Sequence, residues 1–149
     1  MLFTPAETKV VVVGGGTMGA DVAAVCARGG CAVQVVEPTT ERRALLPDYF
    51  VNTMTELGYE NRIHLLSVAG TLEEVDWSDI DLVIECVPER LDIKRELFAK
   101  LEKYAKPEAV LASNSTSFPI SEIAEGLKTP ARMIGLHFFM PAHLIPCVE

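Results

Sequence analysis

A run of four valines that leads directly into three glycines, residues 10 to 16, limits the folds open to this chain more than any other feature. An unbroken β-branched run closed by glycine predicts a strand, Lys9 to Val13, that is buried on both faces. A strand of that kind needs helices above and below its sheet. The pattern therefore favours an α/β fold built on a parallel sheet.

The rest of the chain alternates between strand-like and helix-like segments. Further strands are predicted at Cys31 to Val36, Ile63 to Val68, Leu82 to Val87, Ala109 to Ala112 and Met133 to His137. Helices are predicted at residues 17–28, 39–46, 89–106 and 119–127. We expect Pro47 to interrupt the second helix, because proline lacks an amide hydrogen and clashes with the preceding turn. The alternation predicts a doubly wound, mainly parallel sheet with helices on both faces, in one domain of residues 1–149.

Composition excludes several classes of function. With 49% hydrophobic residues the chain can bury a core, and 21 acidic against 13 basic residues give a net charge of −8 that disfavours nucleic acid. We find neither a basic and apolar leader nor an apolar run long enough to span a membrane, so we do not expect a membrane protein. No cluster of His, Cys and acidic residues has the spacing of metal ligands, so we expect no metal.

The four cysteines show no C-x-x-C spacing. Most lie in apolar stretches, where cysteine packs as a small hydrophobe. We therefore expect reduced thiols and a cytoplasmic protein. The residues concerned are Cys26, Cys31, Cys86 and Cys147.

The glycines after the first strand fit the pattern G-x-G-x-x-G, with Gly14, Gly16 and Gly19 as its glycines and Thr17 and Met18 between the last two. Such glycines allow a tight turn, let the backbone approach a pyrophosphate, and let the helix pack against the strand. The helix start supplies amide donors and a positive dipole. This is the Rossmann arrangement, and it predicts a dinucleotide cofactor.

Glu37 ends the second predicted strand, eighteen residues after Gly19, near the spacing expected for the acid that binds an adenosine ribose. A carboxylate there accepts from the 2′-hydroxyl and repels a 2′-phosphate, so it favours NAD. Arg42 and Arg43 leave NADP open, because an arginine nearby can accommodate that phosphate. The alternative is that both are solvated helix residues.

His137 and Glu149 are the candidates for proton transfer. Oxidising an alcohol by hydride transfer needs a base for the hydroxyl proton, and histidine has a reference pKa of about 6.5. A strand, a turn containing Pro141 and a second strand would allow residues twelve apart to face each other. By spacing alone, a structural histidine beside a surface glutamate fits equally well. His64 and His143 have no comparable partner and are expected to be structural.

Four motifs, in order, resemble the NAD-binding domain of the L-3-hydroxyacyl-CoA dehydrogenases. They are GGGTMG, DLVIECVPERLDIKRELFAKLE, LASNSTSFPISEIA and GLHFFMPAHLIPCVE, and the resemblance covers nearly the whole chain. It implies that His137 is the catalytic histidine and Glu149 its partner. It also implies that Thr116 takes the place of a serine that contacts substrate and nicotinamide. Asn114 would help to hold the reacting oxygen or the nicotinamide ribose.

The resemblance further places Glu89 and Lys94 near the cofactor. Without it, Lys94 would be taken for an exposed helix residue and Glu89 for an acid in a helix's first turn, where the dipole favours it.

Two departures from the family pattern keep other substrates open. Met140 stands in HFFMP where the family has asparagine, and HLIPCVE carries a proline before Glu149. The proline resembles the branch that includes lambda-crystallin, gulonate dehydrogenase and carnitine dehydrogenase. The alternatives to an acyl-CoA substrate are therefore a free small hydroxy acid, or no catalysis in a dinucleotide-binding module.

The resemblance finally implies a helical domain that follows the Rossmann domain, closes the substrate cleft and makes most of a homodimer contact. We expect the 149 residues to supply the cofactor site and only one wall of the substrate site. On that expectation the chain alone turns over poorly or not at all.

Overall fold

The computed structural model describes residues 4 to 149, and its strands form a single six-stranded sheet in the order β3-β2-β1-β4-β5-β6. All neighbouring strands are parallel. This confirms the predicted doubly wound α/β fold, and the order is that of a Rossmann domain. The strands are β1 Lys9–Val13, β2 Ala32–Val36, β3 Leu66–Ala69, β4 Leu82–Glu85, β5 Val110–Ser113 and β6 Met133–Gly135.

Helices cover both faces of this sheet, as the valine run predicted. Val10 and Val12 of β1 pack into one apolar cluster and Val11 and Val13 into the other, because successive side chains of a strand point to opposite faces. The first cluster contains α1 and α2, and the second contains α3 and the short α4. The helices are α1 Thr17–Gly29, α2 Thr40–Glu56, α3 Leu91–Tyr104 and α4 Ile120–Ile123.

Helix α2 continues through Pro47, so the predicted interruption was wrong. Proline costs the helix one backbone hydrogen bond and strains the preceding turn. That cost is outweighed here because Leu46, Phe50 and Met54, at successive helical turns, are 3%, 3% and 0% exposed against the sheet. Tertiary packing beyond Pro47 therefore holds the helix together.

Several strands end earlier than predicted. The strand predicted from Leu82 to Val87 stops at Glu85, and the one predicted to reach His137 stops at Gly135. The strand predicted from Ile63 begins at Leu66, because residues 60–65 form a 3-10 helix. At the carboxyl edge of the sheet the shorter strands leave His137 in a loop, and the loops at this edge carry the predicted site.

The strand order reverses at β1. Strand β2 lies on one side of β1, and β4 lies on the other. Loops after β1 and β4 diverge at such a point and leave a crevice, which is where nucleotides bind in open α/β sheets. Within residues 4 to 149 no helix is long and apolar enough to cross a membrane.

Candidate functional site

The glycine loop after β1 lies in this crevice, and two of its glycines are required by geometry. Gly14 has φ of +105°, and a Cβ there would lie 2.6 Å from the carbonyl oxygen of Cys86. At Gly19 a Cβ would lie 1.7 Å from the oxygen of Gly14. Any side chain at either position would push β1, β4 and α1 apart.

Gly16 has a different role, because a Cβ added there meets no protein atom within 4 Å. It is the N-cap residue of α1 and makes no side-chain cap, so first-turn amides such as those of Thr17 and Met18 face the crevice without a capping side chain. An open approach, free amide donors and the positive end of a 13-residue helix fit a pyrophosphate.

Glu37 lies beside this loop at the end of β2, and it is 2% exposed. Its Oε2 accepts the Gly15 amide at 2.8 Å and its Oε1 accepts the Thr39 amide at 2.9 Å. Burial acts to raise the pKa of this carboxyl, but the Thr39 and Gly15 hydrogen bonds and the charge of Arg42 outweigh it and hold the pKa below its ordinary value. The side chain is therefore an ionised, fixed acceptor.

Arg42 and Arg43 are both drawn toward Glu37. The Arg42 guanidinium lies 3.4 Å from Oε2 of Glu37, and Nη1 of Arg43 donates to the Glu37 carbonyl at 2.8 Å. Arg43 is thus committed to the backbone, whereas Arg42 neutralises the carboxylate. The glycine loop, Glu37 and the turn after β4 enclose a groove of about 610 Å³, lined by Gly14, Gly16, Thr17, Met18, Glu37, Pro38, Thr39, Arg42, Cys86, Val87 and Pro88.

His137 and Glu149 face each other across an antiparallel bridge, the arrangement that their spacing allowed. Nδ1 of His137 lies 3.7 Å from Oε2 of Glu149, and Nε2 lies 3.4 Å from the hydroxyl of Thr116. The imidazole therefore has a carboxylate on one nitrogen and a hydroxyl on the other. Its side chain is 22% exposed, which leaves the ring accessible.

Asn114 supports this arrangement through the backbone. Its side-chain oxygen accepts the Phe138 amide at 2.8 Å, directly after His137, and its own amide donates to the Glu85 carbonyl at 3.0 Å. The contact ties the loop after β5 to the segment that carries His137. The side-chain NH₂ of Asn114 is the donor that this contact leaves for a ligand.

Glu89 holds the loop that carries Thr116. Its two carboxylate oxygens accept the Ser115 hydroxyl at 2.6 Å and the Thr116 amide at 2.9 Å. Burial acts to raise the pKa of Glu89, but these hydrogen bonds and the nearby Lys94 charge lower it below its ordinary value. Glu89 precedes α3, which begins at Leu91, and is not a first-turn acid.

Lys94 is buried, at 1% exposure, so the alternative to its predicted place near the cofactor, an exposed helix residue, was wrong. Its ammonium lies 2.7 Å from Oε1 of Glu85 and 3.7 Å from Glu89. Two carboxylates compensate the charge, which is what allows a lysine to lie in the interior. Lys94 thereby links β4 to the loop beneath the site.

Glu85 and Ser113 also lie beneath the site, but the sequence analysis did not predict them. Glu85 is 0% exposed and accepts from Lys94, from the Val87 amide at 2.8 Å and from the Ser113 hydroxyl. One signal was present, since Glu85 is an acid inside the apolar run LVIECV and needs a partner there. In the described part of the chain, no group of three or more His, Cys, Asp or Glu residues is placed to hold a metal ion.

Comparison with known proteins agrees with this geometry. The family model for the NAD binding domain of 3-hydroxyacyl-CoA dehydrogenase matches residues 9–149. A 3-hydroxybutyryl-CoA dehydrogenase of Mycobacterium tuberculosis is 40% identical over 99% of this chain and 54% of its own length. The glyoxysomal fatty acid beta-oxidation multifunctional protein MFP-a of Cucumis sativus is 35% identical over 95% of this chain and 20% of its own length.

A solved structure shares the fold closely. The 3-hydroxybutyryl-CoA dehydrogenase of Escherichia coli superimposes with a TM-score of 0.86 at 34% identity, over 95% of this chain and 32% of that one. The chain spans about half the length of the Mycobacterium relative and less of the other two. The match covers the glycine loop, the Glu89 and Lys94 segment and the His137 and Glu149 bridge alike. The chain therefore belongs to the 3-hydroxyacyl-CoA dehydrogenase family, of which it forms the NAD-binding domain.

Proposed function

We propose that this chain supplies the cofactor site and the acid–base pair of an NAD-dependent 3-hydroxyacyl-CoA dehydrogenase, an enzyme that oxidises the 3-hydroxyl of an acyl-CoA to a 3-oxo group. One observation carries the proposal. His137 lies between the Glu149 carboxylate and the Thr116 hydroxyl, on loops at the carboxyl edge of the sheet where the NAD crevice opens. A protein that only binds a dinucleotide has no use for such a pair.

In this proposal Nε2 of His137 removes the hydroxyl proton, because Nδ1 faces Glu149. The carboxylate orients the ring and stabilises the imidazolium that forms. NAD, when bound, accepts the hydride from C3 of the substrate. Thr116 and the side-chain NH₂ of Asn114 supply hydrogen bonds to the oxygen that loses the proton, and Glu89 and Lys94 keep the Thr116 loop in place.

Glu37 sets the preference for NAD over NADP. Its buried carboxylate already accepts two amides, and a 2′-phosphate would bring like charge against it. Arg42 offsets part of that repulsion, but its guanidinium is held by Glu37. We expect binding of NADPH to be measurably weaker than binding of NADH.

The substrate site also needs a second region, in the same polypeptide or in a partner chain. The segment around His137 and Glu149 exposes six large apolar side chains, which is unfavourable unless they are covered. A helical region that covers them would close the substrate cleft and provide the surface for a homodimer. The residues are Ile134, Phe139, Met140, Leu144, Ile145 and Val148.

The proposed setting is fatty acid metabolism in the cytoplasm. All four cysteines are free thiols, and burial raises the pKa of Cys26 to about 12, so that thiol stays protonated and unreactive. Free, unpaired thiols fit a reducing compartment. The names of the Mycobacterium and Cucumis relatives support the metabolic assignment.

The test is NADH oxidation with acetoacetyl-CoA and, separately, acetoacetate. Both are assayed with the 149-residue chain and with the polypeptide that contains the proposed second region. We expect turnover of the thioester on the order of 10 per second only when the second region is present. Equal turnover by the chain alone would overturn the need for that region. Turnover of acetoacetate alone would favour a free hydroxy acid, and NADH binding without any turnover would favour a non-catalytic module.

A further inference from the structure

Helix α1 carries a buried carboxylate that the site described above does not use. Asp21, in the second turn of α1, is 1% exposed. Its Oδ1 accepts the Tyr49 hydroxyl of α2, and its Oδ2 accepts the Ala142 amide at 3.2 Å. Burying a carboxylate away from water is unfavourable unless other groups donate hydrogen bonds to it. Here one donor comes from α2 and the other from the segment between His137 and Glu149.

His143 adds a second contact to the same group. Its Nδ1 lies 3.0 Å from Oδ2 of Asp21, yet this buried nitrogen makes no aligned hydrogen bond within residues 4 to 149. The two atoms are close, but they are not aligned as a hydrogen bond requires. Asp21 thus contacts residues 142 and 143 through two neighbouring groups.

Arg28, on the same side of α1 as Asp21, contacts the same segment. Its guanidinium donates to the His143 carbonyl at 3.1 Å. Asp21 and Arg28 are seven residues apart, which is about two helical turns, so their side chains project from one side of α1. From that side of α1, Asp21 accepts from residue 142 and Arg28 donates to residue 143.

The grip is local. Ala142 is 4% exposed and joins the core with α1, whereas Met140 before it is 46% exposed and Leu144 after it 65% exposed. Phe138, next to His137, is also buried in this core, so between Phe139 and the bridge residue Val148 residues 142 and 143 are where the segment is fixed to the body of the domain.

We propose that Asp21, assisted by Arg28, is a positioning residue that holds residues 142 and 143 on α1 and thereby brings Glu149 opposite His137. The inference rests on the proposed function for its catalytic meaning, since the pair it positions is the proton-transfer pair. The N-terminus of α1 faces the pyrophosphate site, and its middle and end hold the acid–base segment. One helix therefore contacts both the cofactor site and the segment that leads to Glu149.

The test compares Asp21→Ala with Tyr49→Phe by amide hydrogen exchange of the chain. Asp21→Ala removes the acceptor for Ala142 and the partner of His143. Tyr49→Phe removes one donor to the same carboxylate and leaves the segment's own contacts intact. We expect Asp21→Ala to speed exchange of the Glu149 amide about tenfold or more while the core amide of Val12 is unaffected. We expect Tyr49→Phe to leave the Glu149 amide unchanged.

Unchanged exchange at Glu149 in folded Asp21→Ala would overturn the proposal, as would an equal rise at Val12, which would mean general destabilisation. If Asp21→Ala does not fold, Arg28→Met tests the same grip from the other contact, with the same two amides read. These measurements need no activity, so they separate this inference from the proposed function.

In the turnover assay, Asp21→Ala lowers kcat about tenfold and leaves the KM for NADH within about twofold. If the KM for NADH rose by as large a factor as kcat fell, Asp21 would support the cofactor site instead.

Discussion

His137 and Glu149 exchange both of their backbone hydrogen bonds, with N to O distances of 2.7 and 2.8 Å. The Glu149 side chain is 80% exposed, so its attraction to the imidazole at 3.7 Å is weakened by solvent. The backbone pairing therefore does most of the positioning. It keeps the carboxylate within reach of Nδ1 without a buried ion pair.

Glu149→Gln should separate the charge from the backbone pairing. The glutamine keeps the backbone bridge but cannot stabilise the imidazolium, so kcat should fall roughly 100-fold in the turnover assay. NADH affinity should stay unchanged. Glu56→Gln, an exposed glutamate at the end of α2, is the matched control and should keep wild-type turnover. Similar rates for both variants would remove Glu149 from the mechanism.

Glu37 should make stability depend on pH. Its pKa in the folded chain lies below the ordinary value of 4.5, so the unfolded chain takes up the proton first as the pH falls. The stabilisation is therefore complete above pH 4.5 and is lost as the pH falls through the lower, folded value. Urea unfolding of the wild type and Glu37→Gln should show a difference that is largest near pH 7 and shrinks below pH 4.5. A difference that grows in acid would contradict the assignment.

Lys94→Met should destabilise the fold by about 3 kcal/mol, because it leaves Glu85 charged and buried without its ammonium partner. The control is Lys100→Met, which removes an exposed i,i+4 pair with Glu96 and should cost under about 0.5 kcal/mol. Adding Glu85→Gln to Lys94→Met should recover part of the loss. Both effects are read from urea unfolding, and equal costs for the two lysines would refute the buried pair.

Pro47→Ala should stabilise the protein by about 1 to 3 kcal/mol. Alanine restores an amide that can donate within α2 and removes the ring that crowds the preceding turn. Pro107→Ala is the control, because Pro107 is exposed in the turn after α3 and no helical hydrogen bond is missing there. A loss of stability in Pro47→Ala would mean that the ring itself packs usefully.

Local patterns were enough to predict the NAD cofactor and the fold that forms its crevice. The valine run, the glycine loop and Glu37 are close in sequence, and each follows from backbone sterics or helix-end electrostatics. The fold class followed from the same strand, because a strand buried on both faces needs two layers of helices.

Properties that depend on tertiary contacts could not be predicted. The rule for Pro47 is local, and it was overridden by Phe50 and Met54 packing against the sheet. The charge of Lys94 suggested exposure until Glu85, on a neighbouring strand, supplied its partner. The His137 and Glu149 spacing permitted a facing pair but could not require one, since the segment between them is held by Asp21, which lies more than a hundred residues earlier.

The most direct test is the rate of NADH oxidation with acetoacetyl-CoA by His137→Gln, made in the polypeptide that contains the proposed second region and compared with His64→Gln in the same polypeptide. His64 is an exposed histidine in the 3-10 helix before β3. We expect His137→Gln to bind NADH as the wild type does and to lose turnover by a factor of about 1,000, whereas His64→Gln keeps it. If His137→Gln turned over at the wild-type rate, His137 would not be the base and the proposed reaction would lose its central residue.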